Sequence, residues 1–372
     1  MKIVICGNYG AENLGDELIL EGMLETLRAV SPDAEITVMS GNPKETKWLY
    51  KARYGMEAVA KFPSGIRSFL KSIFPNSPTK EAVDNCDYFI LGGGGLFNNL
   101  NWHASIIWAM QARQALRKNK PIIIYGQSIG PLSSMGEFFV RRIFSKASFI
   151  GVRDEDSAAL LKKLGITKEI TVTPDLAFRV PVPAPKPAPV LTTPTVIISL
   201  RQLSNIKDKS IEEFSKFCNW LIEERKCLLK FMEFQQGSEG DRNLHQKVIS
   251  QINQRDKVIN INPAIDPEAL FNHFQKASFV FAMRMHAIIC AMKTCKPFLA
   301  ISYSKKIDSL IKDSDLGEYI ISHDEISFDK LKAHFISLDG KKDNVKEKLQ
   351  VLNSVNLEKL KRAEVQLRKV LV

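Results

Sequence analysis

Cysteine is scarce, six among 372 residues. Cys6, Cys86, Cys218, Cys227, Cys290 and Cys295 form no CxxC pair and lie mostly in apolar stretches. That fits small buried hydrophobes in a reducing compartment and excludes a disulfide scaffold. No run of about 18 uncharged apolar residues occurs, so no membrane-spanning helix is expected. Met1 to Cys6 offers four consecutive apolar residues before Gly7, too short for the apolar region of a signal peptide. The expectation is a cytoplasmic protein, soluble or peripheral at the inner face of a membrane. There is no internal repeat at solenoid periods. There is no His/Cys/Asp cluster with zinc spacing, and no cofactor is expected.

What is present is ordinary globular composition, 45% hydrophobic and 25% charged. The net charge of +11, from 52 basic and 41 acidic residues, favours anionic partners such as phosphorylated metabolites, anionic lipid or nucleic acid. Nucleic acid needs a stacking platform or a reading helix, and no such interleaving of aromatic and basic residues is found, so that partner is not expected. Lys61 to Lys80 carries Phe62, Ile66, Phe69, Leu70, Ile73 and Phe74 among Lys61, Arg67, Lys71 and Lys80. Such a segment can lie on an anionic bilayer, core packing being the plain alternative.

Short Val/Ile-rich runs alternate with helical patterns, the signature of parallel sheets wrapped by helices. Strands are expected near 2–6, 35–39, 87–91, 121–125 and 148–152, with helices near 16–30, 103–118, 136–146 and 154–164. Val180 to Val190 carries proline at 181, 183, 185, 187 and 189, which neither a helix nor a central strand accepts. Alternation then restarts, with strands near 195–200, 228–234, 257–261, 278–282, 298–302 and 318–321. The expected organisation is an N-terminal Rossmann-like domain over 1–179, a linker over 180–194 and a C-terminal Rossmann-like domain over 195–340. An amphipathic helix over 341–372 follows, with Leu349, Leu352, Val355, Leu360, Ala363, Leu367 and Leu371 at helical spacing and packed on a domain face.

In open α/β sheets, ligands bind beyond the carboxyl ends of the strands, and those ends carry the distinctive residues. The first strand runs into Gly7 to Glu17, a glycine-rich turn containing Gly10 and Asp16 that lacks the GxGxxG spacing of a dinucleotide site. The third ends in Gly92 to Gly95, read as close approach to a ligand, with Gly94 and Gly95 touching it; a tight connection is the bland alternative. The fourth ends in Gly126-Gln127-Ser128 and the fifth in Arg153, and Gly10, Gln127, Ser128 and Arg153 are expected to contact the substrate. In the second half, Arg284 and His286 stand at a helix start, where free amides and the dipole favour anions, and Lys305-Lys306 follows the next strand. If the two sheets face each other, these cations meet across a cleft suited to a small polyanion with a carboxylate and a phosphate.

The motifs G-N-x-G-x-x-N-x-G-D-E at Gly7 to Glu17, L-G-G-G-G-L-F at Leu91 to Phe97 and G-Q-S-I-G-P at Gly126 to Pro131 are followed by V-R-D-x-x-S at Val152 to Ser157. Then come T-P-D at Thr173 to Asp175, R-M-H-A at Arg284 to Ala287 and Y-x-x-K at Tyr303 to Lys306. In this order the chain resembles the polysaccharide pyruvyl transferase family, most closely its CsaB-type members. The resemblance implies a two-domain GT-B-like fold. It also implies transfer of the enolpyruvyl unit of phosphoenolpyruvate to two hydroxyls of a sugar in a cell-surface polysaccharide or its lipid-linked precursor. By it, Arg153, His286 and Lys306 match donor-binding residues; Y-S-K-K replaces the family's Y-D-P-K, and Met285 stands where many members have Phe. The chemistry calls for a proton donor, for which His286 is suited, and a base, Asp16 or Asp175, both of which also suit helix caps. A nucleotide-sugar glycosyltransferase is the rival reading. It generally wants a ribose-gripping carboxylate in the second half, and the helix after Arg284 offers only Ala287 to Met292. Replacing Arg153 or His286 by Ala is expected to raise KM for phosphoenolpyruvate or abolish turnover while leaving the fold intact.

Overall fold

Val, Ile and Leu runs buried on both faces of a sheet require parallel strands with helical crossovers, and that is how the chain folds. In the computed structural model the described residues are 1–371 without 63–76, 100–102, 185–192, 204–205, 238–239, 263–265 and 313–315. They divide into one unit of Met1–Ala11, Asp16–Val180 and Asn356–Val372, and a second of Glu12–Gly15 and Pro181–Val355.

In the first unit β1 (Lys2–Cys6), α1 (Leu14–Val30), β2 (Glu35–Ser40), α2 (Pro43–Tyr54), β3 (Glu57–Ala60), α3 (Pro78–Asn85) and β4 (Tyr88–Leu91) come first. They are followed by α4 (Ala104–Arg117), β5 (Ile122–Gln127), α5 (Ser134–Phe144), β6 (Ala147–Val152), α6 (Glu155–Lys163) and β7 (Thr171–Val172). The parallel sheet has the order β3-β2-β1-β4-β5-β6-β7. β1 is central, pairing Ile3 with Ile36 on one side and Tyr88 on the other. The order reverses between β1 and β4, so the Gly7 turn and the Gly92 run meet at the switch point where such sheets bind ligands. The expected helix start at Asp154 holds: its carboxylate accepts the Ser157 N–H at 2.7 Å.

The second unit contains β8 (Thr195–Ser199), α7 (Asp208–Glu223), β9 (Leu228–Met232), α8 (Arg242–Ile249), β10 (Val258–Ile261), α9 (Pro267–Gln275) and β11 (Phe279–Ala282). After them come α10 (Met285–Lys293), β12 (Phe298–Ser302), α11 (Lys305–Lys312), β13 (Ile320–Ser322) and α12 (Phe328–Gly340). Its sheet, β10-β9-β8-β11-β12-β13, repeats the plan with a switch point between β8 and β11.

The terminal helix α13 (Lys342–Val370) contributes to both units. In the second, Asn353 donates to the Met292 carbonyl at 2.9 Å; in the first, Arg179 pairs with Glu364 at 2.6 Å. Leu349, Leu360, Ala363 and Leu367 are buried as expected, but Val355 is 41% exposed and Asn356 is buried in its place. Of the basic, apolar segment read as membrane-facing, only Lys61, Phe62 and 77–80 lie among the described residues. Phe62 packs on the core of the first unit and exchanges backbone hydrogen bonds with the Gln111 amide at 2.8 and 2.7 Å. Among the described residues no helix is long and apolar enough to cross a membrane.

Candidate active site

The Gly7 turn is held from below by a buried acid. Glu17, 1% exposed in the first turn of α1, accepts the Gly10 N–H at 2.8 Å and the Tyr50 hydroxyl at 3.1 Å. Gly10 sits at φ +65, and a Cβ there would overlap the Ser40 hydroxyl, so glycine is needed on both counts. Burial raises the Glu17 carboxyl to about 7, with the Gly10 and Tyr50 hydrogen bonds opposing. Asp16, half-buried, accepts from the Asn8 amide at 2.8 Å and lies beside Gly94, 3.5 Å from where a Cβ would stand. Gly94 has φ +97, donates its N–H to the Gly126 carbonyl and accepts the Ser128 N–H. Lys61 follows β3 and reaches inward, donating to the Tyr9 carbonyl at 3.3 Å, and burial lowers its pKa. It is a functional candidate that the sequence does not single out, because it opens the basic, apolar run that follows it.

Several expected ligand contacts serve as braces. Gln127 is fully buried, and its side-chain N–H holds the Gly92 carbonyl at 2.7 Å. The Ser128 hydroxyl donates to Asp154 at 2.6 Å, and the Gly95 carbonyl accepts from Asn98 at 2.5 Å. Arg153 leaves β6 and meets Asp175 at 2.6 Å, with both side chains under a tenth exposed. The other Asp175 oxygen caps the Ala177 N–H at 2.9 Å. Asp175 is therefore engaged as a cap and as the partner that orients Arg153, which leaves Asp16 as the better placed of the two carboxylates considered as bases. Arg153→Ala would remove the cation paired with a buried carboxylate, so it is expected to cost stability as well as function.

In the second unit Arg284 is the N-cap of α10 and His286 its second residue. The Arg284 guanidinium grips buried Asp241 with Nε at 2.9 and 3.1 Å and with Nη2 at 2.5 Å. Asp241 also takes the N–H groups of Phe234 and Gln235 at 2.9 and 3.1 Å. Arg284, expected on the donor, thus anchors the loop after β9. Residues 12–15 join this unit through that loop: Leu14 N–H donates to the Phe234 carbonyl at 2.9 Å, Gln236 N–H to the Glu12 carbonyl at 3.1 Å, and Asn13 to Gln235 at 2.8 Å. The result is a close approach: a Cβ on Gly15 would overlap the Nδ1 of His286.

Beyond β8 the Arg201 guanidinium donates to the Tyr303 hydroxyl at 2.6 Å and lies 4.9 Å from that ring's centroid, adding a cation to the β8–β11 switch point. After β12, Lys305 is exposed and Lys306 half-buried in the first turn of α11. His323, at the end of β13, meets the Ser302 carbonyl at 3.2 Å through Nδ1. Neither Arg201 nor His323 stood out in sequence, since each lies in a motif-free loop whose meaning depends on strand order. Ala287 to Met292 are buried to 0%, so no side chain of that run could grip a ribose whatever its type.

Two parallel sheets, each with its distinctive residues at the carboxyl edge, define a two-domain α/β architecture of Rossmann-like type. The family model for polysaccharide pyruvyl transferase matches residues 13–305. The chain belongs to the polysaccharide pyruvyl transferase family. It is similar to the amylovoran biosynthesis protein AmsJ of Erwinia amylovora, 22% identical and covering 97% of both chains. Among solved structures, it is similar to Anabaena Alr3699/HepE in complex with UDP and glucose, with 13% identity, TM-score 0.63 and 99% of each chain covered. UDP-GlcNAc 2-epimerase from Neisseria meningitidis aligns at 9% identity, TM-score 0.61, over 97% of this chain and all of that one. At such identities these likenesses establish the two-domain, GT-B-like fold and nothing of the chemistry.

Proposed function

We propose that the protein transfers the pyruvyl unit of phosphoenolpyruvate to two hydroxyls of one sugar, in a cell-surface polysaccharide or its lipid-linked precursor. The observation that carries this reading is the family match over 13–305, which contains the motifs from Leu91 to Ala287 and overlaps those at Gly7 to Glu17 and Tyr303 to Lys306. In the reaction C3 of the enol takes a proton, C2 becomes cationic, and two sugar oxygens bond to C2 as its bond to the phosphate oxygen breaks. Of the two hydroxyl protons, one balances that gained by C3 and the other leaves with phosphate. The family resemblance assigns Arg153, His286 and Lys306 to the donor: Arg153 as a planar grip, Lys306 as a point charge, His286 as phosphate ligand and proton donor. Asp16 is assigned as the base toward a sugar hydroxyl. Asp175, Gln127 and Arg284 position these groups without touching the donor. A membrane-proximal, cytoplasmic setting belongs to the same reading, because a lipid-linked acceptor would be met at the inner membrane face.

The test is incubation with phosphoenolpyruvate and a panel of sugar diols and lipid-linked oligosaccharides, reading released phosphate and the methyl proton singlet of a ketal. Both signals together support the reading. Nucleoside diphosphate release from a nucleotide sugar, with no ketal, would favour the glycosyltransferase alternative that the same fold also serves.

A further inference from the structure

The sheet of the second unit has a concavity at its amino edge, opposite the carboxyl edge that carries Arg284 and His286. A cavity of about 420 Å³ opens at the amino ends of β8, β11 and β12, bounded by Pro194, Phe279 and Pro297 and by the first turns of α13. Its volume falls within the range of small-molecule sites. Phe279 and Phe335, 4.9 Å apart by ring centroid, make an apolar wall. The charged groups on the wall are uneven. Asp339 is already shared by Arg225, which also lies 5.3 Å from the Phe335 centroid, and by Lys342 at 3.3 Å. That leaves Lys296 and Lys346 facing the cavity with Asp343 the one other carboxylate on its lining.

Lys296 follows Cys295, which takes φ +53 at the end of α10. That left-handed turn is ordinarily given to glycine, and here it directs both Cys295 and Lys296 to the cavity wall. Lys296 is more than half buried, and its pKa is lowered by burial first and by the neighbouring Lys346 second. Two ammonium groups brought together in a half-buried wall repel each other and are poorly solvated. A doubly charged oxyanion between them relieves both costs.

We propose that this cavity is a second ligand site, separate from the residues assigned to phosphoenolpyruvate, that takes a small phosphomonoester with its dianionic head between Lys296 and Lys346 and its organic body against Phe279 and Phe335. The proposal does not depend on the pyruvyl-transfer reading. Cys295 supplies the reporter. It is partly exposed on the cavity wall, with its Sγ accepting from the Asn353 amide at 3.5 Å, whereas the other five cysteines are at most 2% exposed.

The experiment follows alkylation of Cys295 by iodoacetamide, located by peptide mass, in the full-length protein with inorganic phosphate as the probe. Phosphate at about ten times its Kd should slow the reaction roughly tenfold, since only the free site reacts. Chloride at matched ionic strength should not. The protection should vanish in Lys296→Gln/Lys346→Gln and persist in His286→Ala. The double variant should also melt no lower than the parent without anion, since it removes a repulsion. Protection no greater than that of chloride, equal protection in the double variant, or loss of protection in His286→Ala would each overturn the assignment.

Discussion

The backbone of Gly15 and the imidazole of His286 are packed so closely that a single carbon added to Gly15 would occupy the place of Nδ1. Two residues 271 apart in the sequence are thereby brought together within the second unit, with Gly15 fixed by a histidine at the start of α10.

Gly15→Ala should therefore displace the His286 ring while leaving α1 intact, because alanine favours the helix. Misplacement of a reacting group by about an ångström costs on the order of a hundredfold in rate. Phosphate release from phosphoenolpyruvate with an active acceptor should fall by about that factor, with the thermal midpoint nearly unchanged. Undiminished turnover would show that the position of His286 does not matter to the reaction.

Glu17 makes the first unit sensitive to pH. Its carboxyl is raised from 4.5 to about 7, so between those values the folded chain keeps a proton that the unfolded chain has released. This stabilisation is fully present below the unfolded pKa and is lost as pH rises through about 7, an effect on the order of 3 kcal/mol. Glu17→Gln can keep both the Gly10 and the Tyr50 contacts. Relative to the parent, its stability in urea should improve steadily from pH 4.5 to pH 7. A constant difference across that window would contradict the assignment.

His245 gives the second unit the opposite slope. Its Nε2 accepts the Leu200 N–H at 3.1 Å, and burial lowers its pKa from 6.5 to about 4. The unfolded chain binds the proton first, so stability present above pH 6.5 is lost as pH falls toward 4, again on the order of 3 kcal/mol. His245→Gln should flatten that acid limb in urea denaturation. An unchanged limb would place the titration elsewhere.

How much of this was legible in the sequence follows from which interactions are local. Strands such as β1, β5, β8 and β12 read clearly because a buried parallel strand is a continuous apolar run. β3 and β7 did not, being four and two residues long at or near the end of their sheet, where an Ala-rich or split segment still pairs. The carboxyl-edge position of Asp16, Gly94, Arg153 and His286 was legible because each closely follows a strand and sits in a motif, and alternation reveals where strands end. Their partners were not. Arg284 reads as an anion grip until Asp241, 43 residues away, is seen to occupy it, and Arg153 conceals its dependence on Asp175, 22 residues on.

That dependence separates stability from function at Arg153. Arg153→Ala should cost about 3–5 kcal/mol by removing the cation paired with a buried carboxylate. Arg153→Gln/Asp175→Asn removes both charges and can keep the Ala177 cap, so it should recover most of that loss in urea. Both should bind phosphoenolpyruvate weakly. Full affinity in the recovered double variant would remove Arg153 from the donor site.

The most direct measurement is a thermal-shift titration of the full chain with phosphoenolpyruvate beside a panel of nucleotide sugars, because a ligand that binds only the folded state raises its midpoint. Pyruvyl transfer predicts a shift with phosphoenolpyruvate in Lys296→Gln/Lys346→Gln, where the second site is disabled, that is lost on adding His286→Ala or Lys306→Ala. A shift with a nucleotide sugar and none with phosphoenolpyruvate would contradict it.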